Sequence, residues 1–67
     1  MSGKLRIMDS TGDTCLLWND AAEAEAVANV FMDRLRKGYS AFAGGEQIRA
    51  FDSSATAIVM ISKIQGG

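Results

Sequence analysis

The chain contains no histidine and only one cysteine, Cys15. The first absence removes zinc staples of the Cys/His type and any acid–base catalysis run by an imidazole. The second removes a disulfide framework, so stability must come from packing alone or from a partner. No metal site is expected. Lys and Arg number seven against eight Asp and Glu, for a net charge of -1, with no extended basic patch beyond the Arg34, Arg36 and Lys37 that complement the negative end of a predicted helix. Phosphate neutralisation needs clustered cations, so no nucleic-acid partner is expected. The longest apolar run, Ala57-Ile58-Val59-Met60-Ile61, is far too short to cross a bilayer, and no leader precedes the first strand. A lone thiol without a secretion signal points to the cytoplasm. There are also no internal repeats, no linker and no low-complexity tract.

What is present fits one small domain over residues 1–67. Hydrophobic residues make up 48% of the chain, enough for a real core. Lys4 to Asp9 alternates with period two, placing Leu5 and Ile7 on one face and Lys4, Arg6 and Met8 on the other. Ser10-Thr11-Gly12-Asp13 are turn formers, and Thr14 to Trp18 reads as the returning strand. Three contiguous apolar residues leave that strand's parity open. Cys15 is read as a small core filler and Trp18 as the cover over one end of the core.

Asp20 followed by Glu23 resembles a capping box, opening a helix from Ala21 to Lys37 that is rich in alanine and free of glycine and proline. Ala24, Val27, Ala28, Phe31 and Leu35 recur at three- and four-residue spacing and predict its buried stripe. Gly38 is a natural stop in the left-handed conformation. Tyr39 to Ala43, the turn Gly44-Gly45 and Gln47 to Phe51 predict a second hairpin. No Lys-Ser/Thr follows the glycine pair, so it is not a phosphate loop. Thr56 to Lys63 is apolar on both faces, as a central strand should be.

Hairpin, helix, hairpin and strand predict an α+β fold with one helix across a mixed sheet of four to five strands. With the last strand central and parallel to the first, the arrangement is a ubiquitin-like β-grasp. A meander sheet completed by a second copy is the alternative.

Gly66-Gly67 follows the apolar strand directly, and chance places two glycines there in about one chain in 200. The segment from the acidic turn at Asp52, through the apolar strand and Ile64, to Gly66-Gly67 resembles the end of ubiquitin-like sulfur carriers of the molybdopterin-synthase small-subunit family. It is similar also to short ubiquitin-like modifiers of bacterial conjugation-type gene systems. The detailed likeness covers about a quarter of the chain. Ser62-Lys63 stands where the sulfur carriers have Pro-Pro, and residues before Asp52 agree only in element order.

The resemblance implies a substrate protein, not an enzyme. An activating enzyme related to those for ubiquitin would use ATP to adenylate the carboxylate of Gly67. The acyl group would then pass to a thiol, an amine or sulfide. No cofactor would be bound by the chain itself. Conjugating enzymes and a metalloprotease are the further partners implied. Gly66 and Gly67 would form the reactive end, free of side chains that block a narrow channel. Residues 64–67 would form a flexible tail. Ile64 and Gln65 would guide it, although Ile64 also suits the last core position of the strand. Arg6, Met8, Arg49 and Met60 are the candidate partner surface on the outer sheet face. Two other readings compete. One is a small interaction module, an accessory or inhibitor protein of phage or mobile-element type, with an incidental Gly-Gly. The other is self-association through an edge strand such as Tyr39 to Ala43.

Overall fold

The computed structural model describes residues 2–9 and 12–62. They form β1 (Gly3–Asp9), β2 (Gly12–Trp18), α1 (Ala21–Arg36), β3 (Ser40–Ala43), β4 (Glu46–Ile48) and β5 (Ala57–Ile61). The strands make one five-stranded sheet in the order β2-β1-β5-β3-β4. β1 pairs antiparallel with β2 and parallel with β5, while β3 pairs antiparallel with both β5 and β4. The chain is therefore α+β, with one helix on a mixed sheet and its most apolar strand at the centre, as expected.

The period-two reading of β1 holds. Leu5 and Ile7 are buried, and Lys4, Arg6 and Met8 are exposed on the opposite face. The core beneath α1 consists of Leu5, Ile7, Trp18, Ala24, Val27, Phe31, Ala41, Ile58 and Met60. Each large apolar side chain removed from water there contributes about 1.5–3 kcal/mol. Ala28 and Leu35, also expected in the helix stripe, are only half-buried at its margin.

Asp20 caps α1 by accepting from the Glu23 N–H at 2.8 Å. Glu23 reaches back one residue further than a capping box requires, accepting from the Asn19 N–H at 2.7 Å. The helix ends at Arg36, and Gly38 follows with φ +98°. Gly44 and Gly45, at φ +60° and +84°, make the two-residue turn between β3 and β4, where positive φ is required at both positions. Tyr39 secures the far end of α1: its hydroxyl donates to Asp9 Oδ2 at 3.4 Å, and Arg34 lies 5.9 Å from its ring centroid.

Three sequence expectations are corrected here. Gly12 and Asp13 are not turn residues but the start of β2, paired with Asp9 and Met8. β4 stops at Ile48 rather than running to Phe51. Phe51 instead meets Trp18 and Phe31 edge-on, at centroid distances of 5.0 and 5.8 Å. Tyr39 to Ala43 does not supply a sheet edge, because β3 lies between β5 and β4. The edges are β2 and β4.

Candidate functional site

Among the described residues, the sheet carries α1 on one face only and no element covers the other face. Its composition follows from the register. Arg6 lies opposite Cys15 on β2 and Val59 on β5, and Val59 lies opposite Phe42 on β3. The next row is Asp13, Met8, Ile61 and Ser40, and the row on the other side is Leu17, Lys4 and Ala57. Met8, Leu17 and Ile61 are exposed large apolar groups, with Leu17 at 62%. Arg6 donates to Asp13 Oδ2 at 3.0 Å, an ion pair about half exposed at both ends. Such a pair contributes little stability and places the guanidinium beside Asp13 across the hairpin.

This face corrects two expectations. Cys15 is exposed and not a core filler. Trp18 is fully buried, so alternation turns Leu16 and Trp18 toward α1 and leaves Cys15 and Leu17 outside. Met60 is fully buried in the core and is not part of a partner surface. It pairs with Ile7, which fixes its side inward, and the outer residues of β5 are Ala57, Val59 and Ile61. Sequence reasoning missed Leu17, Val59 and Ile61 because a contiguous apolar run carries no parity of its own.

Of the four expected surface residues, Arg6 and Met8 lie together on the outer face of β1. Arg49 is exposed but follows β4, three strand spacings from β1, about 14 Å. Ile64, Gln65, Gly66 and Gly67, the expected tail and its reactive end, lie outside the described residues. The last described residue is Ser62, whose N–H donates to the Met8 carbonyl at 3.1 Å. That bond continues the β1–β5 ladder and brings the chain past Met8 and Ile61 at the middle of the sheet.

On the other side of the molecule, Ala21, Ala24, Glu25 and Ala28 of α1 face Phe51 and Ser53 across an open apolar hollow of about 280 Å³. Trp18 closes this end of the core, as expected, and its Nε1–H donates to the Ser53 carbonyl at 3.4 Å. The Asp52 carboxylate accepts from the Ser54 hydroxyl at 2.6 Å and the Ser54 N–H at 3.0 Å. These two bonds, the hydroxyl foremost, hold its pKa below the usual aspartate range. They stabilise the turn into β5.

Among the described residues, no group of three or more Cys, Asp or Glu side chains is placed to hold a metal ion. No described helix is long and apolar enough to cross a membrane. No family model matches the chain, and no curated protein or solved structure matches it.

Proposed function

We propose that the chain is a ubiquitin-like β-grasp protein that acts as a protein modifier or sulfur carrier through the carboxylate of Gly67. The observation that carries this reading is the position of β5. It is central, runs parallel to β1, and is prolonged by the Ser62–Met8 hydrogen bond five residues before Gly67. Ser62, the last described residue, is thus bonded to a central strand of the sheet rather than to an edge strand. The neighbouring surface, with Met8, Ile61, Val59 and Arg6, offers an activating enzyme an apolar footing beside an exposed guanidinium.

The chemistry belongs to the partner. Attack of the Gly67 carboxylate on the α-phosphate of ATP forms the acyl–phosphate bond of an adenylate and releases pyrophosphate. A thiolate, amine or hydrosulfide then attacks the acyl carbon and AMP leaves. The chain contributes the reactive carboxylate and the docking face. This reading requires Gly67 to be the terminal residue of the working protein.

Intact-mass analysis after incubation with ATP and a ubiquitin-activating-type enzyme tests the proposal. An adenylate, thioester, isopeptide or oxygen-to-sulfur exchange at Gly67 is expected, and deletion of Gly66-Gly67 should abolish it while the fold persists. Absence of any Gly67 adduct with an enzyme shown to be active would sink it. The exposed apolar face also favours a second reading, a small interaction module, whose activity would survive that deletion.

A further inference from the structure

Backbone direction along β1 shows which groups of β2 face away from the sheet. The Lys4 N–H bonds to the Thr56 carbonyl and the Met8 carbonyl accepts from Ser62, so Lys4, Arg6 and Met8 turn their backbone groups toward β5. Alternation then turns Leu5 and Ile7 toward β2, where they meet Leu16 and Thr14. Asp13, Cys15 and Leu17 are left with their backbone N–H and C=O groups directed off the edge. Among the described residues, no strand covers them.

The two edges of the sheet differ. β4 is three residues long and starts with Glu46 after two glycines, a short and charged edge of the kind that resists pairing. β2 has seven residues, about 24 Å, with no proline, Lys or Arg, and its one charge is Asp13 near its start. Its outward-bonding residues Asp13, Cys15 and Leu17 are all exposed, and their side chains share the outer face.

We propose that β2 is a dimerisation edge that pairs antiparallel with β2 of a second copy about a two-fold axis at Cys15. This register uses the whole edge: Cys15 faces its counterpart, and Asp13 faces Leu17 of the other copy. Moving the axis to Thr14 shortens the overlap, and moving it to Asp13 sets two carboxylates face to face. At the Cys15 register each carboxylate keeps its own Arg6. The two outer faces join, and Leu17 and Cys15 of both copies form one apolar patch at the centre. A two-fold interface is self-complementary, so one strand suffices for both sides. The strip buried is narrow, in the class below about 1,200 Å², so the dimer is concentration-dependent. This inference does not depend on the chemistry at Gly67.

Sedimentation of the full chain across a concentration series is the first test. The weight-average mass should rise from 7.1 kDa toward twice that value. Cys15→Lys places two ammonium groups face to face and should keep the chain at monomer mass with an unchanged far-UV spectrum. A register test covers the case in which that variant does not fold. Asp13→Cys/Cys15→Ser and Leu17→Cys/Cys15→Ser chains are mixed and treated with diamide, which takes up the two thiol hydrogens as the disulfide forms. Paired residues would stand about 5.5 Å apart at Cα, inside the disulfide range of about 4.4–6.8 Å. The mixed disulfide should exceed both same-variant disulfides several-fold. A wild-type chain that stays monomeric throughout the series would overturn the proposal and leave the edge to a strand from another protein. So would a dimer that persists in folded Cys15→Lys, or cross-linking without preference for the mixed pair.

Discussion

Gly3 and Trp18 are paired across the β1–β2 hairpin, and the indole fills the space that a side chain at Gly3 would need. A Cβ at Gly3 would run into Trp18 Cζ2 and come within 2.7 Å of the Ala55 carbonyl oxygen. The Trp18 ring is held in turn by the Ser53 carbonyl and by Phe51, so it has little room to retreat. Gly3→Ala should therefore cost about 1–3 kcal/mol, the range for overpacking a filled core. Urea unfolding followed by Trp18 fluorescence reads this directly. An unchanged midpoint would show that the indole can move aside.

Parity along β5 gives a paired prediction. Met60 is fully buried and Ile61 is 45% exposed. Met60→Ala should cost about 2–5 kcal/mol. Ile61→Thr keeps β-branching on the outer face and should change stability by about 0.5 kcal/mol at most. Equal losses for the two variants would mean that the outer face is covered in solution.

Removal of the helix cap should be felt without any loss of core. Asp20→Ala deletes the acceptor of the Glu23 N–H and should cost about 1 kcal/mol, with Asp20→Ser restoring most of it. Thermal melts of the three proteins at one pH make the comparison. A cost confined to low ionic strength would assign the effect to the helix dipole rather than to the hydrogen bond.

Asp52 supplies a pH prediction with a definite sign. Its folded-state pKa lies below the unfolded value, because Ser54 donates to the ionised carboxylate through its hydroxyl and its backbone N–H. The contribution is present above the unfolded value and is lost as pH falls through the folded one. Ser54→Ala removes the larger cause and leaves the backbone bond. The Asp52 titration, followed by carboxyl NMR, should then move upward toward the ordinary aspartate range, and the acid limb of the stability curve should flatten. An unmoved Asp52 titration would place the hydroxyl elsewhere in solution.

The sequence was most legible where its pattern had a period. Alternation at Lys4 to Asp9 placed Leu5 and Ile7 inside, and helical spacing placed Ala24, Val27 and Phe31 beneath the sheet. The apolar run at Ala57 to Ile61 marked the central strand, although only its inner residues Ile58 and Met60 are buried and Ile61 is exposed on the outer face. Runs without a period hid their facing. Cys15-Leu16-Leu17 became readable only when Trp18, the largest group nearby, fixed the phase. Met60 was misplaced for the same reason, and its phase came from pairing with Ile7. Phe51 looked like a strand residue by composition, yet it meets Trp18 and Phe31 instead of closing three further ladder positions after Ile48. The candidate site was legible only in part. Arg6 and Met8 could be placed from alternation, whereas Cys15 opposite Arg6 depends on hairpin register, which local composition does not reveal.

The central place of β5 also sets a timetable for the newborn chain. β1–β2 and β3–β4 are separate hairpins that touch no common strand until residues 57–61 arrive between them. While the ribosome is still adding those residues, the earlier segments have no completed sheet to join. Completion of the sheet must wait for this keystone strand, and a chain cut short before it would leave the β3–β4 ribbon unjoined to the β1–β2 hairpin against which α1 packs.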